Sequence, residues 1–223
     1  MATNEEIHKI DTAQLLLILN NEEELIIKPR NFADDYDIGG VECGRVVSRV
    51  NKTLFDYRIG DKAVSSRLPS IFNRRIVLLN PITKEVVIEF YHKRLPLLFK
   101  ACYKQEIRCL TGEINGTQSI GSIQKRLVFG KIWYDVYDGV REHIASLALR
   151  KSHIRSKIQH RVPEVSIFDT DETKNIGHIY PFSTDLERSE YGNAVAMKIP
   201  HNLPVETKAI LLIATLMIKS RVN

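Results

Sequence analysis

Residues able to do covalent or metal chemistry are few and dispersed in this chain. Seven histidines are scattered without ligand spacing, and no nucleophile pairs with a base in the sequence, so hydrolytic catalysis has no positive support. Three cysteines, Cys43, Cys102 and Cys109, are odd in number and irregularly spaced. They do not read as a disulfide framework, and no Cys-x-x-Cys pair offers a structural zinc site. Reduced thiols in the cytosol fit this usage. Asp169-Thr170-Asp171-Glu172 gathers carboxylates that could hold a cation, although a solvated hairpin turn is their everyday use. Gly39-Gly40 with Gly44 lacks the Lys-Ser/Thr that a phosphate loop requires.

Charge is the stronger signal. Residues 1–61 carry a net −5, residues 62–132 a net +9 and residues 133–223 a net +1, within a total of +5. A middle segment this basic suits anions: phospholipid head groups, nucleic acid or an acidic protein partner. Lys93, Arg94, Lys100, Lys104 and Arg108 surround Cys102 and interleave with Leu95, Leu97, Leu98, Phe99 and Tyr103. Basic and apolar residues together are what an anionic membrane surface attracts, at about 1 kcal/mol per Lys or Arg. The plainer alternative is a strand with a charged outer face. Lys125 and Arg126 extend the patch. A second basic run, Arg150, Lys151, Arg155, Lys157 and Arg161, contains no acid between its ends. It fits a phosphate-binding loop, a nuclear-import signal or a solvated connection.

The elements that must position these groups are mostly strands. The length of 223 residues suits a single large β domain spanning the chain. Residues 1–9 are polar and acidic, form no signal-peptide stretch and are expected to be a flexible leader. Apolar runs at 12–19 and 22–27, separated by Asn20-Asn21, predict a strand hairpin. Further strands are predicted at 46–50, 54–59, 75–79, 85–90, 105–110, 120–124, 131–136, 143–148, 165–169 and 176–180. Turn signals at such intervals mark a sandwich or barrel. Ile120-Gly121-Ser122-Ile123 and Ile176-Gly177-His178-Ile179 form a weak repeat, and glycine inside a strand often marks a bulge or a close backbone approach.

The final element differs in kind. From Pro204 to about residue 221 the pattern is helical, with Glu206 at the positive end of the dipole and Lys219 and Arg221 at the other. Residues 209–218 are apolar on all sides of the helix, which implies burial in protein or lipid. A span needs about 20 apolar residues, and a run of 10–14 reads as a core helix. The expected architecture is therefore mainly β, a sandwich or barrel of roughly a dozen strands with a buried C-terminal helix, for which a closed antiparallel sheet around a central helix is one known solution.

Four stretches resemble the phospholipid scramblases, of the tubby C-terminal-like superfamily. They are Ile10-Asp11 followed by Leu15–Leu19 and Glu22–Leu25; the segment at 75–90, RIVLLNPITKEVVIEF; Ala101-Cys102-Tyr103-Lys104-Gln105-Glu106-Ile107; and Ile199-Pro200 through the helix to Ile218. The resemblance implies a twelve-stranded barrel around a hydrophobic helix and calcium-triggered mixing of phospholipids between leaflets. The more distant tubby relatives bind phosphoinositide head groups.

The departures bear on function. The family's calcium segment is degraded here to Glu187, Glu190 and Asn202, a poor set for a cation wanting six to eight oxygens. Weak or absent calcium binding is expected. The family's acylated cysteine cluster is reduced to Cys102, with Cys109 nearby, and one acyl chain gives only reversible anchoring. These features imply a lipid-binding, non-enzymatic protein at the cytoplasmic face of a membrane, the plasma membrane foremost. A soluble phosphoinositide-binding adaptor is the competing class. Binding of nucleic acid through 150–161, with the nucleus as location, is the third.

Overall fold

Period-two alternation builds most of the molecule. The computed structural model describes residues 17–29, 42–61, 73–93, 104–110, 117–129, 131–149, 164–182 and 194–220. Twelve strands are present: β1 (Glu24–Pro29), β2 (Glu42–Ser48), β3 (Thr53–Asp61), β4 (Asn73–Leu79), β5 (Val86–Lys93) and β6 (Lys104–Leu110), followed by β7 (Thr117–Val128), β8 (Lys131–Asp138), β9 (His143–Leu149), β10 (Val165–Phe168), β11 (Asn175–Pro181) and β12 (Val195–Lys198). The helix α1 (Val205–Lys219) follows.

All neighbouring strands pair antiparallel in sequence order. Ile26 of β1 lies opposite both Ala196 of β12 and Val47 of β2, so the ladder returns to its start. Closure leaves no unpaired edge among the described strands for another chain to extend.

Alternate residues point inward onto the helix. Leu25, Phe55, Ile76, Phe90, Val136 and Leu147 are among the side chains forming one core with α1. Every residue from Thr207 to Lys219 is buried. Each large apolar side chain so enclosed contributes about 1.5–3 kcal/mol. The wall must approach the helix closely. A Cβ at Gly121 would lie 2.5 Å from Ile210 Cδ1 and 2.4 Å from the Tyr137 carbonyl. Gly177 holds the equivalent place in the second copy of the repeat, where a Cβ would lie 2.4 Å from the Lys198 carbonyl. The two copies also share a bulge: the register shifts just after Ile107↔Gly121, and again after Ile167↔Gly177.

Both ends of the helix carry buried charge. Lys208 Nζ donates to the carbonyls of Leu19, Asn20 and Glu22 at 3.1, 2.7 and 2.9 Å. Its three protons therefore meet three acceptors. Lys219 pairs with Glu42, which also accepts from the Tyr57 hydroxyl at 3.3 Å. Pro204 occupies the N-cap, and its carbonyl accepts from the Lys208 N–H at 3.0 Å.

Of the predicted opening hairpin only the second run, 22–27, is a strand, and it falls on β1. Leu17 is helical and residues 18–21 are a turn, while residues 12–16 lie outside the described residues. The turn is fixed by the helix: Leu19 is buried beneath it, and its carbonyls face Lys208. β12 stands where no strand was anticipated.

The topology gives the molecule two unlike ends. At one end the strands are joined by short turns at 49–52, 80–85, 139–142 and 169–174. At the other, the connections carry residues 30–41, 62–72, 94–103, 150–164 and 182–194, while β7 and β8 are joined by only two residues, 129 and 130.

Candidate functional site

The basic residues singled out from sequence divide by position. Lys93 ends β5 and Lys104 begins β6, and the register Phe90↔Ile107 brings these two strand ends together at the long-connection end. Lys125, opposite Tyr134, lies near the same end on β7. Arg108 is opposite Glu89 and Cys109 opposite Ile88, farther along the wall. Arg94, Lys100, Cys102, Arg150, Lys151, Arg155, Lys157, Arg161, Glu187 and Glu190 lie outside the described residues. Asn202 is exposed in the turn before α1, and β12 separates it along the chain from Glu187 and Glu190.

The tight turn between β7 and β8 supplies a feature that charge reading missed. Phe129 is 100% exposed and Leu127 is 64% exposed. Phe129 adopts φ 47°, an uncommon conformation for a bulky residue. It projects from the long-connection end, with Lys125 and Lys131 close in sequence. An exposed apolar ring with cations near it in sequence is the pairing found on membrane-surface elements, which bury Trp, Phe or Leu and present Lys or Arg.

Arg126 belongs to a different structure, on the outer wall of β7–β9. Its guanidinium meets Asp135 at 2.7 Å and also pairs with Glu172. It lies 5.0 Å from the centre of the Trp133 ring. Ser146 Oγ lies 2.9 Å from Asp135 Oδ1 and 3.2 Å from Glu172 Oε1, and His143 Nε2 lies 2.9 Å from the same hydroxyl. Asp135 and Ser146 are buried. Glu172 reaches the cluster because the β10–β11 turn holds it at φ 59°. Asp169, in the same turn, accepts from the N–H groups of Thr173 and Lys174 at 3.1 and 3.2 Å.

Asp135, His143 and Glu172 offer three ligand atoms within 4.8 Å of one another. The positive charge between the carboxylates is already supplied by Arg126, so the cluster is satisfied as an ion-pair network. It is also not arranged as a hydrolytic triad: the carboxylate contacts the serine rather than the imidazole, and the serine is enclosed.

One register row runs from this cluster across the outer wall: Arg126, Trp133, Ala148, Ser166, His178, Lys198, Glu24. Small residues in its middle leave a groove of about 330 Å³, lined by Glu164, Val165, Ser166, His178, Ile179, Tyr180 and Lys198. Tyr180 donates to Glu24 at 2.5 Å. Burial, then that hydrogen bond and the charge of Glu24, push the phenol up to about 12. His178 and Lys198 are exposed. This groove could not be read from sequence, because its polar residues come from three strands brought level only by the register.

No protein-family model matches the chain, and no curated protein is recognisably similar to it in sequence.

Proposed function

We propose that this chain is a membrane-peripheral, scramblase-like protein of tubby-like architecture that binds anionic phospholipid through its long-connection end. Phe129 carries the reading. A wholly exposed phenylalanine at the tip of a tight turn is costly in water and would contribute about 1.5–3 kcal/mol on entering an apolar phase. Lys93, Lys104, Lys125 and Lys131 lie at or near the strand ends on its side of the barrel. The segments joining the strands there include Arg94 and Lys100 and the basic run at 150–161. Acids also occur there, at 34–37 and 185–190.

The helix takes no part in membrane insertion in this reading. No described helix is long and apolar enough to cross a membrane, and α1 is tied into the barrel at both ends. Its side chains fill the interior, so a lipid head group has no path through the barrel. Lipid binding is therefore the core of the proposal, and movement between leaflets would have to occur on the outer surface. The degraded calcium segment makes binding calcium-independent.

Co-sedimentation with neutral, phosphatidylserine and phosphoinositide vesicles, with and without calcium, tests the proposal. The expected result is sedimentation with anionic vesicles regardless of calcium, weakened about tenfold by Phe129→Ser, the loss of one buried aromatic contact. Preference for phosphoinositide alone would favour the adaptor reading. Absence of sedimentation with every vesicle would overturn both.

A further inference from the structure

We infer that the groove across β10, β11 and β12 binds a phosphate-bearing small molecule, with Lys198 and His178 holding the phosphate and Ser166 donating to it from the floor. The site lies on the wall of the barrel, away from Phe129, and does not depend on the proposed membrane contact.

Three kinds of donor converge there from three adjacent strands. Ser166 is opposite His178, and His178 is opposite Lys198. Neighbouring strands are about 4.8 Å apart, so an ammonium, an imidazole and a hydroxyl stand in one row. A tetrahedral phosphate accepts hydrogen bonds from several directions at once, and lysine serves it as a point charge.

The natural counter-charge to this row is turned aside. Glu24 is opposite Lys198 in the register. Its carboxylate instead accepts from Tyr180 at 2.5 Å and lies 3.8 Å from Arg49. Among the described residues, the side chains of Lys198, His178 and Ser166 have no hydrogen-bond or ion-pair partner. The contrast with the neighbouring cluster is direct: there Arg126 is neutralised by two carboxylates, whereas here two basic side chains share a groove with one exposed carboxylate, Glu164. The Tyr180 ring supplies an apolar surface beside them, while Val165 and Ile179 turn their side chains into the core. A cavity of about 330 Å³ is at the small end of ligand sites and exceeds what a bare phosphate needs, so the ligand carries an organic body. A soluble phosphomonoester and a phosphorylated lipid head group both present this chemistry.

Glycerol 3-phosphate titrated into the isotope-labelled full chain, followed by amide chemical shifts, tests the soluble source. Phosphatidylcholine vesicles with and without phosphatidylinositol phosphate test the lipid source. Lys198→Gln and His178→Gln are the variants, both at exposed positions where folding is retained. Saturable shifts at Ser166, His178 and Lys198, or vesicle binding specific to the phosphorylated lipid, weakened at least tenfold in either variant, would support the assignment and identify the source. Binding of both probes at full strength in both variants, or of neither probe to the wild-type chain, would overturn it. Phe129→Ser leaves the glycerol 3-phosphate titration unchanged, which keeps this site separable from membrane docking.

Discussion

Lys208 and Lys219 sit at opposite ends of one helix, both enclosed by the barrel, and are neutralised by different means. Lys219 lies in the last turn, where the helix dipole favours a cation, and has a full counter-charge in Glu42. Lys208 lies in the first turn, where the dipole opposes it, and has only backbone carbonyls. Burial lowers its basicity, partly offset by the charges of Glu22 and Glu23. A charge so placed gains nothing from its helix. It ties the helix start to the turn at 18–21 and so fixes the short-turn end. The other end is held by an ion pair, on the side of the barrel where Phe129 is exposed. The comparison separates a structural end from an end available for docking.

The largest test of this contrast is Glu42→Ala. Removing the carboxylate leaves the Lys219 charge buried without its partner, a change worth about 3–5 kcal/mol. Chemical denaturation should show that loss, and the double variant Glu42→Gln, Lys219→Met should recover most of it. Lys208→Met comes next, at about 2–3 kcal/mol, because it strands carbonyls that had a charged donor while removing a charge that was costly to bury. If the two single variants were equal and large, the distinction between charge and dipole neutralisation would fail.

Smaller effects separate the ends by function. Phe129→Ser and Val140→Ser each replace an exposed apolar side chain, one at each end. Each should change stability by no more than about 0.5 kcal/mol, but only Phe129→Ser should weaken vesicle binding. Equal losses from both would place the membrane contact elsewhere.

Alkaline pH gives the subtlest test, because the ends respond with opposite sign. Tyr57 is held protonated above its ordinary value of 10, first by burial, then by the charge of Glu42 and its hydrogen bond. Above pH 10 the unfolded chain loses that proton while the folded chain keeps it, so stability falls as pH rises. The basicity of Lys208 is lowered on folding from an ordinary value of 10.5. The folded chain therefore sheds its proton first, and stability gains as pH approaches that value. In denaturation series carried into alkali, Tyr57→Phe should flatten the decline and Lys208→Met should steepen it.

The sequence was most informative where local pattern and tertiary packing agree. The helix announced itself through an all-round apolar run bounded by lysines, and eleven of the strands through apolar runs, alternation and turn residues. The two failures are physical. The leucines ahead of Asn20 resemble a strand, but the described part packs as a helix end and turn beneath α1. β12 shows no alternation because both of its faces are covered: Val195 and Met197 join the core, while Ala196 packs with Ile26 and Val47 on the outside. Wall sites were less legible still. Arg126 and Glu172 are 46 residues apart, and nothing local pairs them. The groove residues become neighbours only through the register of three strands.

Hydrogen exchange of the α1 amides, measured with the protein free and bound to phosphatidylserine vesicles, bears most directly on the account. The account predicts that residues 210–216 remain fully protected in both states while the β7–β8 turn around Phe129 becomes slower to exchange. Loss of protection along α1 on vesicle binding would contradict it, because the helix would then have left the barrel.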